Sequence, residues 1–230
     1  MTYKLAVFDM DGTLLRGRTI FTVATEKGFI KELLKIMDGN KPPYQKTIDV
    51  AMLLHGITVD EFLEIFGHIP LQQNAEVVVH TLKKYGLKTA IITDSYDLNA
   101  NYLKNRLGID YAFANTLVTE KDHLTGEVIL HNKNHEKRDD MCHMHSICKK
   151  EVLLELCNSL TIMPDEAIAV GDGEVDRCML EAAGLGLAFN APESVQQSAD
   201  ANIFDLIEIL KYAGIGSNYG HQTGGSNNPS

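Results

Sequence analysis

Apolar and polar positions follow two rhythms along this chain. Tyr3 to Phe8 is an apolar-rich run, interrupted at Lys4, that stops at the acidic, glycine-containing turn Asp9-Met10-Asp11-Gly12. Such a run predicts a buried strand that delivers Asp9 at its carboxyl end. From about Thr19 to Phe66 the rhythm turns helical: Phe29, Leu33, Leu34 and Met37 share one face, and Ile48, Met52 and His55 share another. Gly39-Asn40-Lys41-Pro42-Pro43 separates two helical regions, and Thr58 followed by Glu61 has the capping-box pattern. A small helical insertion is therefore expected directly after the first strand.

Beyond Ile69-Pro70 the pattern predicts a helix to about Tyr85, stopped by Gly86, and then the short apolar strand Lys88 to Thr93. A helix over Asp97 to Leu107 follows. Tyr111 to Leu130 reads as a hairpin, with Thr116-Leu117-Val118-Thr119 and Glu127-Val128-Ile129-Leu130 flanking a turn at Asp122 to Gly126. A polar, His-rich loop over 131–148 leads to a helix from Lys149 to Leu160. Ala167 to Val170 and Leu185 to Phe189 are two further strands, the first ending at Gly171-Asp172-Gly173-Glu174-Val175-Asp176. Strands alternating with helices predict an α/β fold with a parallel sheet, whose ligands collect beyond the strand carboxyl ends. The expected organisation is a catalytic core from 1–15 plus 75–213, a helical cap over 16–74, and a flexible Gly-, Ser- and Asn-rich tail over 214–230.

Composition adds constraints. The chain has 230 residues, 44% hydrophobic and 23% charged, close to the averages of globular proteins. Its net charge of -10 comes without a long basic run, which argues against nucleic acid or an anionic membrane as partner. No leader-like N-terminus and no apolar stretch of about 20 residues is present, and four cysteines do not suggest a secreted disulfide framework. A cytoplasmic protein, monomer or homodimer, is expected.

The strand ends carry the candidate chemistry. Asp9 and Asp11, at i and i+2 on a turn that Gly12 lets coil, can both face one substrate. Asp9 could attack phosphorus and form an aspartyl phosphate while Asp11 gives a proton to the leaving oxygen. Asp172 and Asp176 bring the acids to four, with Lys149 as the balancing cation. Such an all-oxygen cluster calls for a hard ion, and Mg²⁺ fits better than zinc. Thr93, with neighbouring backbone N–H groups and Lys149, could hold the transferring phosphoryl group.

Asp9-Met10-Asp11-Gly12-Thr13, Thr93, Lys149 and Gly171-Asp172-Gly173-Glu174-Val175-Asp176 together resemble, in order and spacing, the four motifs of the haloacid dehalogenase superfamily in its phosphatase branch. The resemblance spans about Tyr3 to Tyr212. It is nearest to the phosphoserine phosphatase group, through Gly108 to Asn115, Leu124-Thr125-Gly126 and Ala183 to Ala191. It implies a Rossmann-like parallel sheet with a helical cap after the first strand and a β-hairpin insertion. It also implies Asp9 as nucleophile, Asp11 as acid and base, and Mg²⁺ held by Asp9, the Asp11 carbonyl and Asp172, with Asp176 in support. Thr93 and Lys149 then hold phosphate, with Asp94 in the same second motif and Lys150 as the alternative lysine. Two departures bear on the substrate: Arg18 stands where the group has an acidic residue, and Val50 stands near its usual arginine. Arg18 therefore points to an anionic or hydroxyl-rich leaving group, such as a sugar or a second phosphate.

The expected activity is a Mg²⁺-dependent phosphomonoesterase on a small phosphorylated metabolite. Phosphoryl transfer between sugar phosphates is the alternative within the enzymes, and a catalytically silent binding protein the alternative outside them. One further constellation stands apart: Cys142-His143-Met144-His145-Ser146-Ile147-Cys148, preceded by His131 and His135, could offer four ligands to zinc. Its spacing matches no standard finger, and a polar surface loop with Cys148 packed beneath the helix is the preferred reading.

Overall fold

A computed structural model describes residues 2–133 and 141–215. Its seven-stranded sheet has the order β4-β3-β2-β1-β5-β6-β7. The parallel strands are β1 (Leu5–Phe8), β2 (Lys88–Tyr96), β5 (Ala167–Gly171), β6 (Leu185–Phe189) and β7 (Ala201–Ile203). The first part of β3 (Tyr111–Glu120) pairs parallel with β2, and its second part pairs antiparallel with β4 (His123–Ile129). The hairpin thus continues the main sheet rather than standing apart from it.

Alternate residues of the central strands feed two apolar layers, as the period of two requires. Ala6, Phe8, Ile91 and Val170 face α5 (Ala75–Lys84), α6 (Asp97–Leu107) and α10 (Glu208–Tyr212). Leu5, Val7, Ala90 and Ala169 face α7 (Lys149–Leu160) and α8 (Arg177–Ala182). A one-turn helix, α9 (Glu193–Gln196), precedes β7. Ile215 is buried in the first layer, so the predicted tail joins the fold at its first two residues; 216–230 lie outside the described residues.

The insertion after β1 contains α1 (Thr19–Lys27), α2 (Ile30–Asp38), α3 (Pro43–Leu53) and α4 (Val59–Gly67). Gly28, at φ 80, ends α1, so Phe29 caps α2, and it still packs against the cluster that holds Leu33. Leu33 is buried while Leu34 and Met37 are largely exposed, which corrects the predicted stripe. Thr58 accepts the Glu61 amide as the N-cap pattern required, and the Glu61 carboxylate pairs with Lys27. The face of α3 bearing Ile48 and Met52, together with His55 in the turn after it, lies against Thr125 to Val128 of β4, because Gly126 lets the backbones approach. Val23, Ala51, Leu54, Ile57 and Phe62 of the insertion share one apolar cluster with Tyr96, Leu117 and Leu124, so the cap rests on the hairpin. The hairpin turn is Lys121-Asp122, both at positive φ, four residues before Gly126.

Two connecting segments join core and cap side by side, with Arg16 donating to the Pro70 carbonyl and Gln72 to the Leu14 carbonyl. Among the described residues, no helix is long and apolar enough to cross a membrane.

Candidate active site

β1 and β5 end side by side, β2 runs on beside them to Tyr96, and this edge carries the site. Phe8 is in register with Ile91 and Val170, so Asp9, Thr93 and Gly171-Asp172 emerge on one edge of the sheet. Asp9 donates its amide to the Val170 carbonyl at 2.9 Å, a final ladder bond that fixes its backbone. The chain then turns through Gly12 at φ 98, where a Cβ would lie 2.5 Å from Asp172 Oδ2. Only glycine allows that approach.

Lys149 is fully buried at the start of α7. Its ammonium donates to Asp9 Oδ1 and to Asp176 Oδ1, each at 2.5 Å. The other oxygen of Asp176 accepts the amides of Asp172 and Gly173, at 3.0 and 2.9 Å. With both oxygens engaged, Asp176 shapes the Gly171–Gly173 loop and anchors Lys149. Gly171 makes room for this, since a Cβ there would lie 2.4 Å from Asp176 Cγ. Lys150, the alternative lysine, is exposed.

Asp9, Asp172 and Asp176 bring carboxylate oxygens within 4.8 Å of one another. Burial pushes the Asp9 carboxyl well above the usual range, Lys149 pulls it down, and Asp176, Asp172 and Asp94 push it up again. Burial also raises Asp172, as does Asp176, against the Thr13 hydroxyl that donates to it at 2.9 Å and against Arg18. Burial would lower Lys149, but Asp176 and Asp9 more than offset it and hold the ammonium well above the ordinary lysine value. One lysine thus leaves the cluster short of positive charge. All-oxygen donors, surplus negative charge and space kept open by Gly12 suit a hard divalent cation such as Mg²⁺.

Asp11 has a different setting. Its Oδ1 accepts the Thr19 amide at 2.9 Å and the Thr19 hydroxyl at 2.6 Å. Burial lifts its pKa to about 6 against those two donors. Asn99 Nδ2 in turn donates to the Thr19 hydroxyl at 3.2 Å and to Ser95 Oγ at 3.0 Å. Two carboxylates two residues apart are thereby placed in separate environments, Asp9 against the Lys149 ammonium and Asp11 against Thr19.

Thr93 is buried and its hydroxyl accepts the Ser95 amide at 3.2 Å, so its own proton can be directed outward. Asn115 clamps the end of β2 by donating to the carbonyls of Asp94 and Ser95 at 2.7 and 3.2 Å. Asp94 lines the cleft, and its carboxylate repels Asp9 and Asp11. Only its backbone N–H has the polarity to meet a phosphate oxygen.

A cleft of about 350 Å³ opens between this edge and the cap. Asp11, Arg18, Phe21, Met37, Lys46, Val50, Ser95, Tyr96 and Glu174 line it. Arg18 reaches Asp172 Oδ2 at 3.5 Å, and Lys46 donates to the Met37 carbonyl. All eight residues singled out from the sequence, namely Asp9, Asp11, Arg18, Thr93, Asp94, Lys149, Asp172 and Asp176, occupy this edge or cleft. Thr13 and Asn115 entered the sequence reading only as members of motifs, and Thr19 and Asn99 did not emerge from it, since short polar residues near turns read equally well as caps.

The His/Cys segment divides. His135 lies outside the described residues. His131 packs edge-on against Phe113, with centroids 6.4 Å apart. Cys148 is buried at the start of α7, as expected, and Cys142 is buried as well, which the surface-loop reading did not anticipate; 134–140 lie outside the described residues.

A family model for haloacid dehalogenase-like hydrolases matches residues 22–184. The phosphoserine phosphatase of Methanocaldococcus jannaschii is 33% identical over 215 residues, covering 91% of this chain and 97% of that protein. The phosphoserine phosphatase of Archaeoglobus fulgidus is 33% identical over 217 residues, 90% of this chain, which spans 60% of that longer protein. A solved structure described as a phospho-aspartyl intermediate analogue of phosphoserine phosphatase superposes with a TM-score of 0.78 at 32% identity, over 92% of this chain and 99% of that one. Motifs, fold and relatives agree, and the chain belongs to the haloacid dehalogenase-like hydrolases.

Proposed function

We propose that this chain is a Mg²⁺-dependent phosphomonoesterase of the phosphoserine phosphatase type, acting in the cytoplasm as a monomer or homodimer on a small phosphorylated metabolite. The observation that carries the proposal is Lys149, buried between Asp9 and Asp176 at the floor of a capped cleft. A structural ion pair needs no cleft, no second acid poised nearby and no surplus of carboxylates. Its free cysteines suit a reducing compartment.

Asp9 attacks phosphorus, the ester P–O bond breaks, and the phosphoryl group rests on the Asp9 carboxylate. Asp11, protonated up to about pH 6, gives its proton to the departing oxygen and then takes one from the water that cleaves the acyl phosphate. Thr93 O–H, nearby backbone N–H groups and the Lys149 ammonium donate to the equatorial oxygens. Mg²⁺ bound to Asp9, the Asp11 carbonyl and Asp172 would supply positive charge that favours ionised Asp9 and screens it from the incoming phosphate. Asp176 holds Lys149 and the Asp172 backbone in place.

Thr19 sets the proton chemistry. Thr19→Val removes the hydroxyl donor that stabilises ionised Asp11, so the Asp11 pKa must rise. The alkaline limb of kcat/KM is expected to move to higher pH, read from phosphate-release profiles of both proteins. An unmoved limb would assign the proton to another group.

Arg18 and Lys46 give the leaving-group side of the cleft two cations, and Val50 leaves its wall apolar. This favours a leaving group with negative charge or several hydroxyls. A hydrogen bond to a charged group is worth ~1.5–3 kcal/mol, so Arg18→Ala should raise KM roughly ten- to a hundredfold for anionic esters with kcat nearly unchanged. The test is a Mg²⁺-dependent panel of phosphoserine, sugar phosphates, phosphoglycolate and bisphosphorylated sugars, with product analysis to reveal transfer. Predominant turnover of phosphoserine, unaffected by Arg18→Ala, would refute the assignment of Arg18.

A further inference from the structure

Away from the carboxylates, three of the four cysteines converge. Cys142 lies in the short turn Met141–Met144, Cys148 caps α7, and Cys178 lies in the first turn of α8. Their sulfurs all lie within 4.8 Å of one another. Cys142 and Cys148 are buried, Cys178 is partly so, and none is in a disulfide. Cys157 packs elsewhere, in the apolar layer beneath α7.

Two neighbouring positions before α7 and one on α8 thus each contribute one sulfur. In a tetrahedral zinc site with Zn–S of about 2.3 Å the sulfurs stand roughly 3.8 Å apart, so the triangle closes on an ion with shifts of about an ångström. The surroundings are set for ligation. Asn132 Nδ2 donates to the carbonyls of Cys142 and His145, both at 3.0 Å, and the Asn132 amide donates to the Ser146 carbonyl at 2.8 Å. Such contacts fix the backbone that presents ligands and orient the sulfurs.

We propose that Cys142, Cys148 and Cys178 form a zinc site separate from the carboxylate centre, with solvent in the fourth position. Binding exchanges the thiol protons for Zn–S bonds and releases them to solvent, with no electron transfer. Sulfur selects a soft or borderline ion where the carboxylates select a hard one, so the two sites do not compete for metal. Cys148 directly precedes Lys149, and Cys178 follows Asp176 by two residues. The ion would therefore staple together the two segments whose side chains meet in the Lys149–Asp176 pair.

Reduced, chelator-stripped full-length chain titrated with Co²⁺ should develop intense near-ultraviolet sulfur-to-cobalt absorption that saturates at one equivalent. One equivalent of Zn²⁺ should abolish that absorption, and excess Mg²⁺ should leave it in place. Cys178→Ser should lose the absorption and Cys157→Ser should keep it. Without any variant, mass spectrometry after alkylation should show zinc protecting Cys142, Cys148 and Cys178 from the reagent. Cobalt binding without the sulfur absorption, absorption that survives Cys178→Ser, or zinc that protects none of the three thiols would each overturn the site.

Discussion

Asp9→Asn is expected to lower phosphate release by roughly 10⁴-fold or more while leaving the protein folded, since the attacking atom is lost and nothing beside it can replace it. Asn keeps the shape of Asp and its amide oxygen can still accept from Lys149, whose second partner, Asp176, is untouched. Stability should move the other way from activity. In the metal-free protein the Asp9 carboxyl titrates well above the ordinary Asp range. Between those two values the folded chain binds more protons than the unfolded chain, so ionising Asp9 destabilises the fold as pH rises. Asp9→Asn removes that penalty and should be at least as stable as the unsubstituted protein at pH 8, with the difference vanishing below about pH 4. Added Mg²⁺ should reverse the order, because the unsubstituted chain gains more from binding it. Thermal melts at both pH values and a phosphate-release assay decide the matter. A chain that turns over no ester faster than Asp9→Asn would be a binding protein, and an Asp9→Asn protein that retains turnover would place the nucleophile elsewhere.

Much of this geometry was visible in the sequence because the signals were local. α6 and α7 begin and end where the pattern placed them, and Asp9 and Asp172 follow strands because an apolar run that stops at an acid and a glycine leaves few other readings. What escaped was of two kinds. Some elements were too short or too plain: β7 has three residues, and the Lys121-Asp122 turn holds its positive φ without glycine, so Gly126 attracted the turn instead. Gly28 splits α1 from α2 by itself, with no proline to mark the break. The other kind were long-range contacts of ordinary residues. Asn99 supports Thr19 from 80 positions away, and Cys178 on α8 meets Cys142 and Cys148 at the start of α7. Periodicity assigns such residues to a face, but only packing assigns them partners.

Lys149→Met should combine a loss of roughly 10²–10³-fold in kcat with a large, pH-dependent loss of stability. The substitution keeps the length of the side chain and removes its charge, leaving Asp9 and Asp176 buried together without the ammonium between them. Breaking a buried ion pair from one side costs about 3–5 kcal/mol. Lys149 itself brings no pH dependence near neutrality: its folded pKa lies above the ordinary value of about 10.4, so its contribution is complete below that value and fades only at higher pH. The carboxylates supply the dependence. Lys149 is what holds Asp9 down, and without it the Asp9 carboxyl rises further. The window in which the folded chain holds extra protons widens, and stability falls more steeply with rising pH. Denaturant unfolding should therefore find Lys149→Met weakest near pH 8 and partly recovered near pH 5. In the double variant Asp9→Asn with Lys149→Met, only Asp176 loses its partner, and its second oxygen keeps the amides of Asp172 and Gly173. That double variant should be more stable than Lys149→Met alone. Equal stability, or a Lys149→Met curve parallel to that of the unsubstituted chain at every pH, would mean that the ammonium does not neutralise Asp9. The floor of the cleft would then need another account.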